Sequence, residues 1–275
     1  MSRTSRRVLP GFRLGLGYTI FYLSIIVLVP LAAGIFKAAD LTLAEFWAVV
    51  WTPRAIAAYK LTFTASLVAA VINVVLGLIV AWSLVRYEFY GKRIVDALVD
   101  VPFALPTAVA GLTLANLFAD NGWLGKYLVP LGIKGVFTPL GIVIALTFVG
   151  MPFVVRTLQP VLENFDRGVA EVAATLGAGR LRTFLKIIAP TLLPTVITGF
   201  ALAFARAIGE YGSIVFISGN IQYKTQIAPL LIVERLDQYD YTGAMALAVV
   251  LMIVSFVLLA GINQLENWAR KFERS

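Results

Sequence analysis

The chain has 275 residues, of which 60% are hydrophobic and 14% are charged, and its mean hydropathy is +0.87. A water-soluble domain of this length needs far more polar surface, so the composition excludes a soluble fold and predicts a membrane protein. The sequence has no cysteine and no histidine, which excludes disulfide bonds, thiol nucleophiles, the common zinc sites and histidine acid–base chemistry.

Six apolar runs are long enough to cross the bilayer as helices. A helix needs about 20 residues to span a hydrocarbon core of about 30 Å. Prolines interrupt or border the third and fourth runs, and membrane helices tolerate proline where neighbouring groups take up the freed backbone. The sequence therefore predicts an all-α membrane protein. Its six spans are Leu14–Phe36, Leu61–Val85, Val99–Ala119, Pro139–Leu158, Thr191–Ser218 and Thr242–Asn263.

The first apolar run follows four arginines, as the apolar part of a signal peptide follows a basic start. The run spans 23 residues, however, and has no small-residue cleavage site near its end. We therefore expect the first helix to be retained.

The net charge of +8 is unevenly distributed along the chain. With the N-terminus inside, the predicted cytoplasmic segments hold 15 basic residues and the outer loops hold 7. This bias is what the positive-inside rule expects, so the charge indicates orientation and not binding to nucleic acid. Both termini are expected in the cytoplasm. The predicted cytoplasmic segments are 1–13, 86–98, 156–186 and 264–275.

A single membrane domain accounts for the chain, and no soluble module is expected. We expect a core of five further spans to follow the first helix, with a cytoplasmic coupling loop inside that core at residues 159–190. The expected segments are a tail at 1–13, the first helix and outer loop at 14–60, the core at 61–264 and a tail at 265–275.

The loop before the fifth span has two apolar stripes with the i, i+3, i+4, i+7 spacing of a helix. The first is Val169, Val172, Ala173 and Leu176, and the second is Leu181, Phe184, Leu185 and Ile188. Gly177 and Gly179 separate them, and Pro190 follows, so the loop is predicted as helix, glycine turn and a second helix that ends at Pro190. The pattern alone leaves two interpretations open: a connector that rests on the membrane surface, or a docking surface.

The spacing of Glu171, Ala173, Gly177, Ile187 and Pro190 resembles the signature loop of permease subunits of ATP-binding-cassette (ABC) importers. That pattern reads Glu-Ala-Ala, three residues, Gly, nine residues, Ile-x-Leu-Pro. This chain has valine and alanine in place of one alanine and the leucine. In the family, the short helix of this loop fits a groove on the ATPase subunit. The resemblance implies a coupling role for Glu171, Ala173 and Gly177, and the other loop candidates are Ala174, Arg180, Ile187 and Pro190.

Three further segments resemble the permeases of sulfate/thiosulfate ABC importers, and most closely the T-type subunit. They are residues 96–111, residues 121–125 and residues 206–220. Molybdate permeases share the Gly-Glu-aromatic-Gly sequence of the last segment, so an importer of molybdate, tungstate or another oxyanion stays an alternative.

The resemblance implies a type I ABC importer permease fold with cytoplasmic coupling helices, in the inner membrane of a bacterium. It implies three protein partners besides the lipid bilayer: a dimer of ABC ATPases, a second homologous permease and an extracytoplasmic sulfate-binding protein. ATP and magnesium would bind to the ATPase, and this chain would bind no cofactor and no nucleic acid.

Arg206 and Glu210 are charged residues inside the fifth predicted span. They are four residues apart and so share one face of a helix. A charge in the bilayer is costly, and such residues usually face protein or a wet cavity. Two roles are open: a structural ion pair, or a gate or lining of the translocation path. Because Glu210 cancels the field of Arg206, we favour gating or packing over anion binding. Further path candidates are Pro102, Pro106, Thr107, Gly209, Gly212 and Ser213.

Two other classes of function fit the sequence less well. A membrane-embedded enzyme lacks histidine, cysteine and paired carboxylates within a span, so the chain is expected to be non-catalytic. A stand-alone channel or secondary transporter leaves the loop unexplained. The chain also has no Walker A sequence, so it cannot hydrolyse ATP by itself. A requirement for ATP separates the importer from these alternatives.

Overall fold

The computed structural model of the chain describes residues 12–272, without the side chains of Arg13, Arg167, Ala170, Glu171 and Ala174 and of residues 269–272. Every regular element in this part is helical, as the sequence predicts. The α-helices are labelled α1 to α15 in chain order.

The first half of the described chain contains two long apolar segments and several shorter helices. They are α1 (Phe12–Leu23), α2 (Val29–Ala38), α3 (Leu43–Val50), α4 (Pro53–Arg86), α5 (Lys92–Val99), α6 (Val101–Ala104), α7 (Thr107–Phe118) and α8 (Gly125–Leu128). A π-helical turn (Ser24–Leu28) joins α1 to α2, and a 3₁₀ turn (Val129–Leu131) follows α8.

The second half contains three long spans and four shorter helices. They are α9 (Pro139–Asn164), α10 (Arg167–Thr175), α11 (Arg180–Thr183), α12 (Ala189–Ile208), α13 (Gly212–Ser218), α14 (Ala228–Asp237) and α15 (Tyr241–Phe272). A second π-helical turn (Phe184–Ile188) joins α11 to α12.

Within residues 12–272, five helical segments are long and apolar enough to cross a membrane, and a shorter apolar helix, α7, accompanies them. The first, second, fourth and sixth predicted spans are confirmed as single segments with longer ends. The five segments are Leu14–Ala38, Pro53–Arg86, Pro139–Asn164, Arg180–Ile208 and Tyr241–Trp268.

The third predicted span, Val99–Ala119, is wrong as a single helix. Helix α6 ends at Ala104, the backbone of Leu105 is extended with ψ 135°, and α7 begins at Thr107. Pro106 explains the break, because a proline disfavours helical backbone at the residue before it and has no N–H to donate.

The fifth predicted span, Thr191–Ser218, has other bounds. The helix already begins at Arg180 and passes through the second π-helical turn into α12. The prediction that Pro190 ends the second helix of the loop is therefore wrong. The carbonyl four residues before Pro190 belongs to this π-helical turn, whose wider path leaves room for the proline ring. At the other end, α12 stops at Ile208, and three residues separate it from α13.

Helices α4 and α9 pack closely, and small residues lie at their closest points. A Cβ on Gly77 would lie 2.7 Å from Cγ1 of Val154, and a Cβ on Gly150 would overlap the side-chain amide of Asn73. The two contacts advance together along both helices, so α4 and α9 run parallel. Small residues at such contacts let membrane helices approach closely. The buried face of α4 includes Ala58, Thr62, Ala65, Ser66, Ala69, Ala70, Asn73, Gly77 and Ala81.

Helix α12 completes the core and runs antiparallel to α9. Gly199 lies against Val154, and Ala203 lies one turn further along α12 against Gly150. Helix α15 packs on α12, on α14 and on α2. The most apolar stretch of the first span, within Leu14–Ala38, has no buried residue.

A polar network ties the start of α4 to α14 on the predicted outer side. Arg54 donates to Gln226 Oε1 at 2.7 Å and to Glu234 Oε2 at 2.5 Å. The Gln226 amide donates to Glu234 Oε2 and to Asn220 Oδ1, at 2.6 and 2.9 Å. The hydrogen bond from Arg54, with that from Gln226, holds the pKa of Glu234 below its usual range.

Candidate functional site

The third and fifth predicted spans, both of which are interrupted in the structure, meet just after their breaks, where α7 and α13 begin. Thr107, the first residue of α7, lies against Gly212, the first residue of α13, where a Cβ would overlap the threonine hydroxyl. One turn further along α7, a Cβ on Gly111 would overlap the carbonyl oxygen of Ser213. Two glycines therefore permit this contact, one from each helix. The structure thus brings together three of the predicted path candidates, Thr107, Gly212 and Ser213.

Glu210 fixes the start of α13. The residue is 1% exposed, and its Oε1 accepts hydrogen bonds from the N–H and the hydroxyl of Ser213, both at 2.9 Å. Its Oε2 pairs with Nη1 of Arg206 at 2.5 Å, and the Arg206 side chain is 33% exposed. A buried carboxylate is stable in such a place only when it is paired and hydrogen-bonded. Arg206 and Glu210 thus form an ion pair, and whether the pair also gates the path stays a prediction.

The prolines of the third predicted span begin helices and do not kink one. Pro102 lies in the first turn of α6, and Pro106 immediately precedes α7. Proline suits these positions because the first N–H groups of a helix have no partner within it. Gly209 ends α12 with a φ of −89°, and a Cβ there would meet open space. The structure gives no reason for a glycine at position 209.

The backbone of the cytoplasmic loop forms two helices around a glycine turn, as predicted. Gly177 follows α10 with a φ of +80°, in the left-handed region that glycine adopts without strain. The N–H of Ala178 donates to the carbonyl of Ala173 at 2.9 Å, which is a Schellman closure of the helix end. Gly177 is thus required by the backbone, and a Cβ on it would meet no neighbouring atom.

The apolar stripe of α10 has little cover within the chain. Val169, Val172 and Leu176 are 39%, 59% and 81% exposed, and only Ala173 is buried, at 6%. Glu171 and Ala174 lie in the backbone of α10, but their side chains are outside the described part. Further along, Arg180 and Pro190 are exposed and Ile187 is half-buried.

Sequence reasoning missed a polar hub at the predicted inner end of α9. Nε and Nη2 of Arg156 donate to the two carboxylate oxygens of Asp100, at 2.8 and 2.6 Å. Nη1 donates to Asp96 Oδ1 and to Gln159 Oε1, both at 2.6 Å, and Nη2 also donates to the Asp96 carbonyl at 2.9 Å. The available signals were the arginine at the end of the fourth predicted span and two aspartates spaced four apart.

The hydrogen bonds of the hub favour the ionised form of Asp96. A hydrogen bond from the Gln159 amide, together with the Arg156 guanidinium, holds the pKa of Asp96 below its usual range although partial burial opposes this. Within residues 12–272, no group of three acidic side chains could hold a metal ion.

Interrupted helices that meet inside an all-helical membrane domain are typical of membrane transport proteins. Comparison with family models identifies the family within this class. Residues 73–270 match the family described as the binding-protein-dependent transport system inner membrane component, and the chain belongs to this family.

Individual relatives cover nearly the whole chain. It is 48% identical over 264 residues to the sulfate transport system permease protein CysT of Salmonella typhimurium, an alignment that covers 96% of this chain and 95% of the relative. It is 50% identical over 254 residues to the protein of the same name from Synechocystis sp., with 92% and 89% covered.

Two solved structures share the fold. A chain of the bacterial ABC transporter that imports the acidic polysaccharide alginate has a TM-score of 0.77 at 16% identity, covering 93% of this chain and 94% of that chain. A chain of the MetNI methionine ABC transporter has a TM-score of 0.60 at 16% identity, covering 83% and 99%. The predicted type I ABC importer permease fold is confirmed.

Proposed function

We propose that the chain is the pore-forming permease subunit of an ATP-driven importer for sulfate or thiosulfate. Sulfate is suggested by the near full-length similarity to proteins named sulfate transport system permeases. One structural observation supports the coupling to an ATPase: an exposed apolar helix, α10, lies in the loop between the spans α9 and α12. Such a face in a membrane protein's loop needs a protein partner or the membrane surface to cover it.

The ATPase is the proposed partner of α10 and α11. The chain has no Walker A sequence, so ATP and magnesium would bind to a dimer of partner subunits and not to this chain. The turn at Gly177 would set the angle at which the two short helices enter the ATPase groove. Glu171, Ala174 and Gly177 would lie at the contact surface with the exposed Val172 and Leu176, and the buried Ala173 would hold α10 against the rest of the chain. Arg180, Ile187 and Pro190 would connect this surface to α12.

A second, homologous permease would complete the pore, and a sulfate-binding protein would deliver the anion from outside. Exposed apolar residues on the outward faces of α7 and α13, including Val109, Leu112 and Phe216, are available for the permease partner or for lipid. The chain would lie in the inner membrane of a bacterium with both termini in the cytoplasm, as its basic loops suggest.

Arg206, Glu210 and Ser213 would serve as a gate that holds the start of α13. The pair of charges cancels, so it offers no net attraction to a dianion at rest. A shift of α13 would separate Glu210 from Ser213 and alter the path where α7 and α13 meet. Pro102 and Pro106 would supply the breaks, and Thr107 and Gly212 the close contact, that such a shift needs.

Uptake of labelled anions tests the proposal. A bacterial strain without its own sulfate permease would receive this chain with its partner subunits, and uptake of sulfate, thiosulfate and molybdate would be measured. We expect ATP-dependent uptake of sulfate and thiosulfate. Uptake of molybdate alone would show that the proposed substrate is wrong. It would favour a molybdate importer, the second candidate, whose permeases share the Gly209-Glu210-Tyr211-Gly212 sequence. Uptake without an ATPase would contradict the importer itself.

A further inference from the structure

Helices α5 and α6, at the inner end of the third predicted span, contact α9 at three successive turns. The first two contacts are hydrogen-bonded polar pairs, and the third is an edge contact between aromatic rings whose centroids are 5.1 Å apart. Successive contacts involve later residues of α5 and α6 but earlier residues of α9, so the two segments run antiparallel. The three pairs are Asp96–Gln159, Asp100–Arg156 and Phe103–Phe153.

Arg156 is the centre of this attachment. A guanidinium has five N–H donors in one plane, and the structure gives five hydrogen bonds from Arg156 to Asp96, Asp100 and Gln159. The side chains of Arg156, Asp96 and Asp100 are 32%, 44% and 50% exposed, so water screens their charges. The rigid fork geometry, more than Coulomb attraction, therefore fixes α5 and α6 on α9.

The outer half of the same predicted span has a different main partner. After the break at Leu105 and Pro106, α7 packs mainly on α13, through Thr107 with Gly212 and through its following turn. Helices α7 and α13 also contact α9, but α7 lies chiefly against α13, so the break separates a part held on α9 by the Arg156 hydrogen bonds from a part held mainly on α13. Extended backbone between two helices is a place where a hinge rotation is absorbed.

Helix α9 leads directly to the cytoplasmic loop. Arg156 lies two turns before the end of α9 at Asn164, and α10 begins at Arg167. A helix is stiff over such a distance, so a displacement of α10 would move the inner end of α9 and whatever is attached to it. At the other end of these contacts, the hydrogen bonds from Ser213 to Glu210 hold the start of α13.

We propose that Arg156, Asp96 and Asp100 form a permanent strut that carries movement of the cytoplasmic loop to the α7–α13 contact. The strut makes α5, α6 and the inner end of α9 one rigid body, and the Leu105–Pro106 break is its hinge. These are positioning residues, because they act through α7 and touch no substrate. The inference rests on the proposed function, in which an ATPase moves the loop.

The first test measures transport and ATP hydrolysis together in the full complex with its partner subunits. Arg156→Lys keeps the charge and loses the fork, and Asp100→Asn keeps the shape and loses the charge. We expect each variant to lower sulfate uptake roughly tenfold while the ATPase rate of the purified complex changes by less than about twofold. The ratio of sulfate transported to ATP hydrolysed is the readout, because a merely structural role would lower both.

Glu88→Gln is the matched control. It breaks the Glu88–Lys92 ion pair, whose 2.7 Å contact lies on the same connector but in which Glu88 is 89% exposed. Uptake and ATPase rate should both stay at the level of the unmodified complex. Normal uptake in Arg156→Lys and Asp100→Asn would overturn the strut.

The second test uses the absence of native cysteine, which makes engineered thiols specific. Asp96→Cys and Gln159→Cys are combined and joined by a short thiol cross-linker, and mass spectrometry confirms the link. If the strut stays closed through the cycle, the cross-linked complex should transport at least as fast as the same variant without cross-linker. Loss of uptake on cross-linking would show that the contact must open, and the strut would be wrong.

Failure of the proposed function and failure of the strut give different results. If the unmodified complex shows no ATP-dependent uptake of sulfate, the proposed function fails. If the unmodified complex transports and the strut variants transport equally well for each ATP hydrolysed, only the strut fails.

Discussion

Gly212 lies so close to Thr107 that a Cβ on residue 212 would overlap the threonine hydroxyl. This contact joins the first residues of α13 and α7 and is the place where the two interrupted helices of the chain meet. Replacing Gly212 therefore forces the two helices apart.

Gly212→Ala should destabilise the protein and lower transport. Overpacking of a close contact costs roughly 1–3 kcal/mol of unfolding free energy. Gly209→Ala, three residues away, is the control, because its Cβ would meet open space and its φ is −89°. Thermal unfolding in detergent measures both variants. Equal stability of the two would contradict the packing assigned to α7 and α13.

Gly177→Ala should uncouple the loop without disturbing membrane insertion. A non-glycine residue at a φ of +80° is strained by about 1–2 kcal/mol, so the turn between α10 and α11 would change its path. Gly179→Ala is the matched control, since Gly179 has a φ of −67° and open space around it. Co-purification of the ATPase and sulfate uptake are measured. A Gly177→Ala variant with normal uptake would remove the coupling role of this turn.

The Arg206–Glu210 pair should show strong coupling in a double-mutant cycle. Arg206→Gln leaves a buried carboxylate without its cation and should cost roughly 3 kcal/mol, the lower end for buried pairs, because Arg206 is 33% exposed. The double variant with Glu210→Gln should recover part of that loss. Denaturant unfolding in detergent measures the four proteins. Additive effects would mean that the pair is not a structural unit.

The outer network should make stability depend on pH in the acid range. The pKa of Glu234 is lowered in the fold from an ordinary value of 4.5, so the unfolded chain binds a proton more readily than the folded one. The contribution of Glu234 is fully present above pH 4.5 and is lost as the pH falls through its lower folded pKa. The unfolding temperature between neutral and acid pH measures this. Glu234→Gln should have a flatter profile, and an unchanged profile would contradict the role of Arg54.

The sequence predicts the features that depend on neighbouring residues. Apolar runs locate the spans because hydrocarbon thickness sets their length, and the stripes around Gly177 locate two short helices because glycine ends a helix locally. The break before Thr107 follows from Pro106, although the apolar run conceals it. The helix continues through Pro190 because a π-helical turn relieves the proline ring, and no residue pattern marks that turn.

The remaining features depend on contacts between distant parts of the chain. The hub at Arg156 joins residues 56 and 60 positions apart, so a single sequence shows the charges but not their meeting. The same holds for the contact between Gly111 and Ser213, because the need for a glycine at position 111 follows only from the close approach of α13. The orientation of the termini and the roles of Arg206 and Glu210 stay predictions.

We propose that ATP hydrolysis by a partner drives sulfate through this chain by way of the α10–α11 loop. The most direct measurement is sulfate uptake into proteoliposomes that contain the complete transporter. The binding protein is outside the vesicles, and the ATPase subunits face the lumen, which contains ATP. We expect uptake that requires ATP and is lost in Gly177→Ala but not in Gly179→Ala. Sulfate uptake that continues without ATP, or that is unchanged in Gly177→Ala, would contradict it.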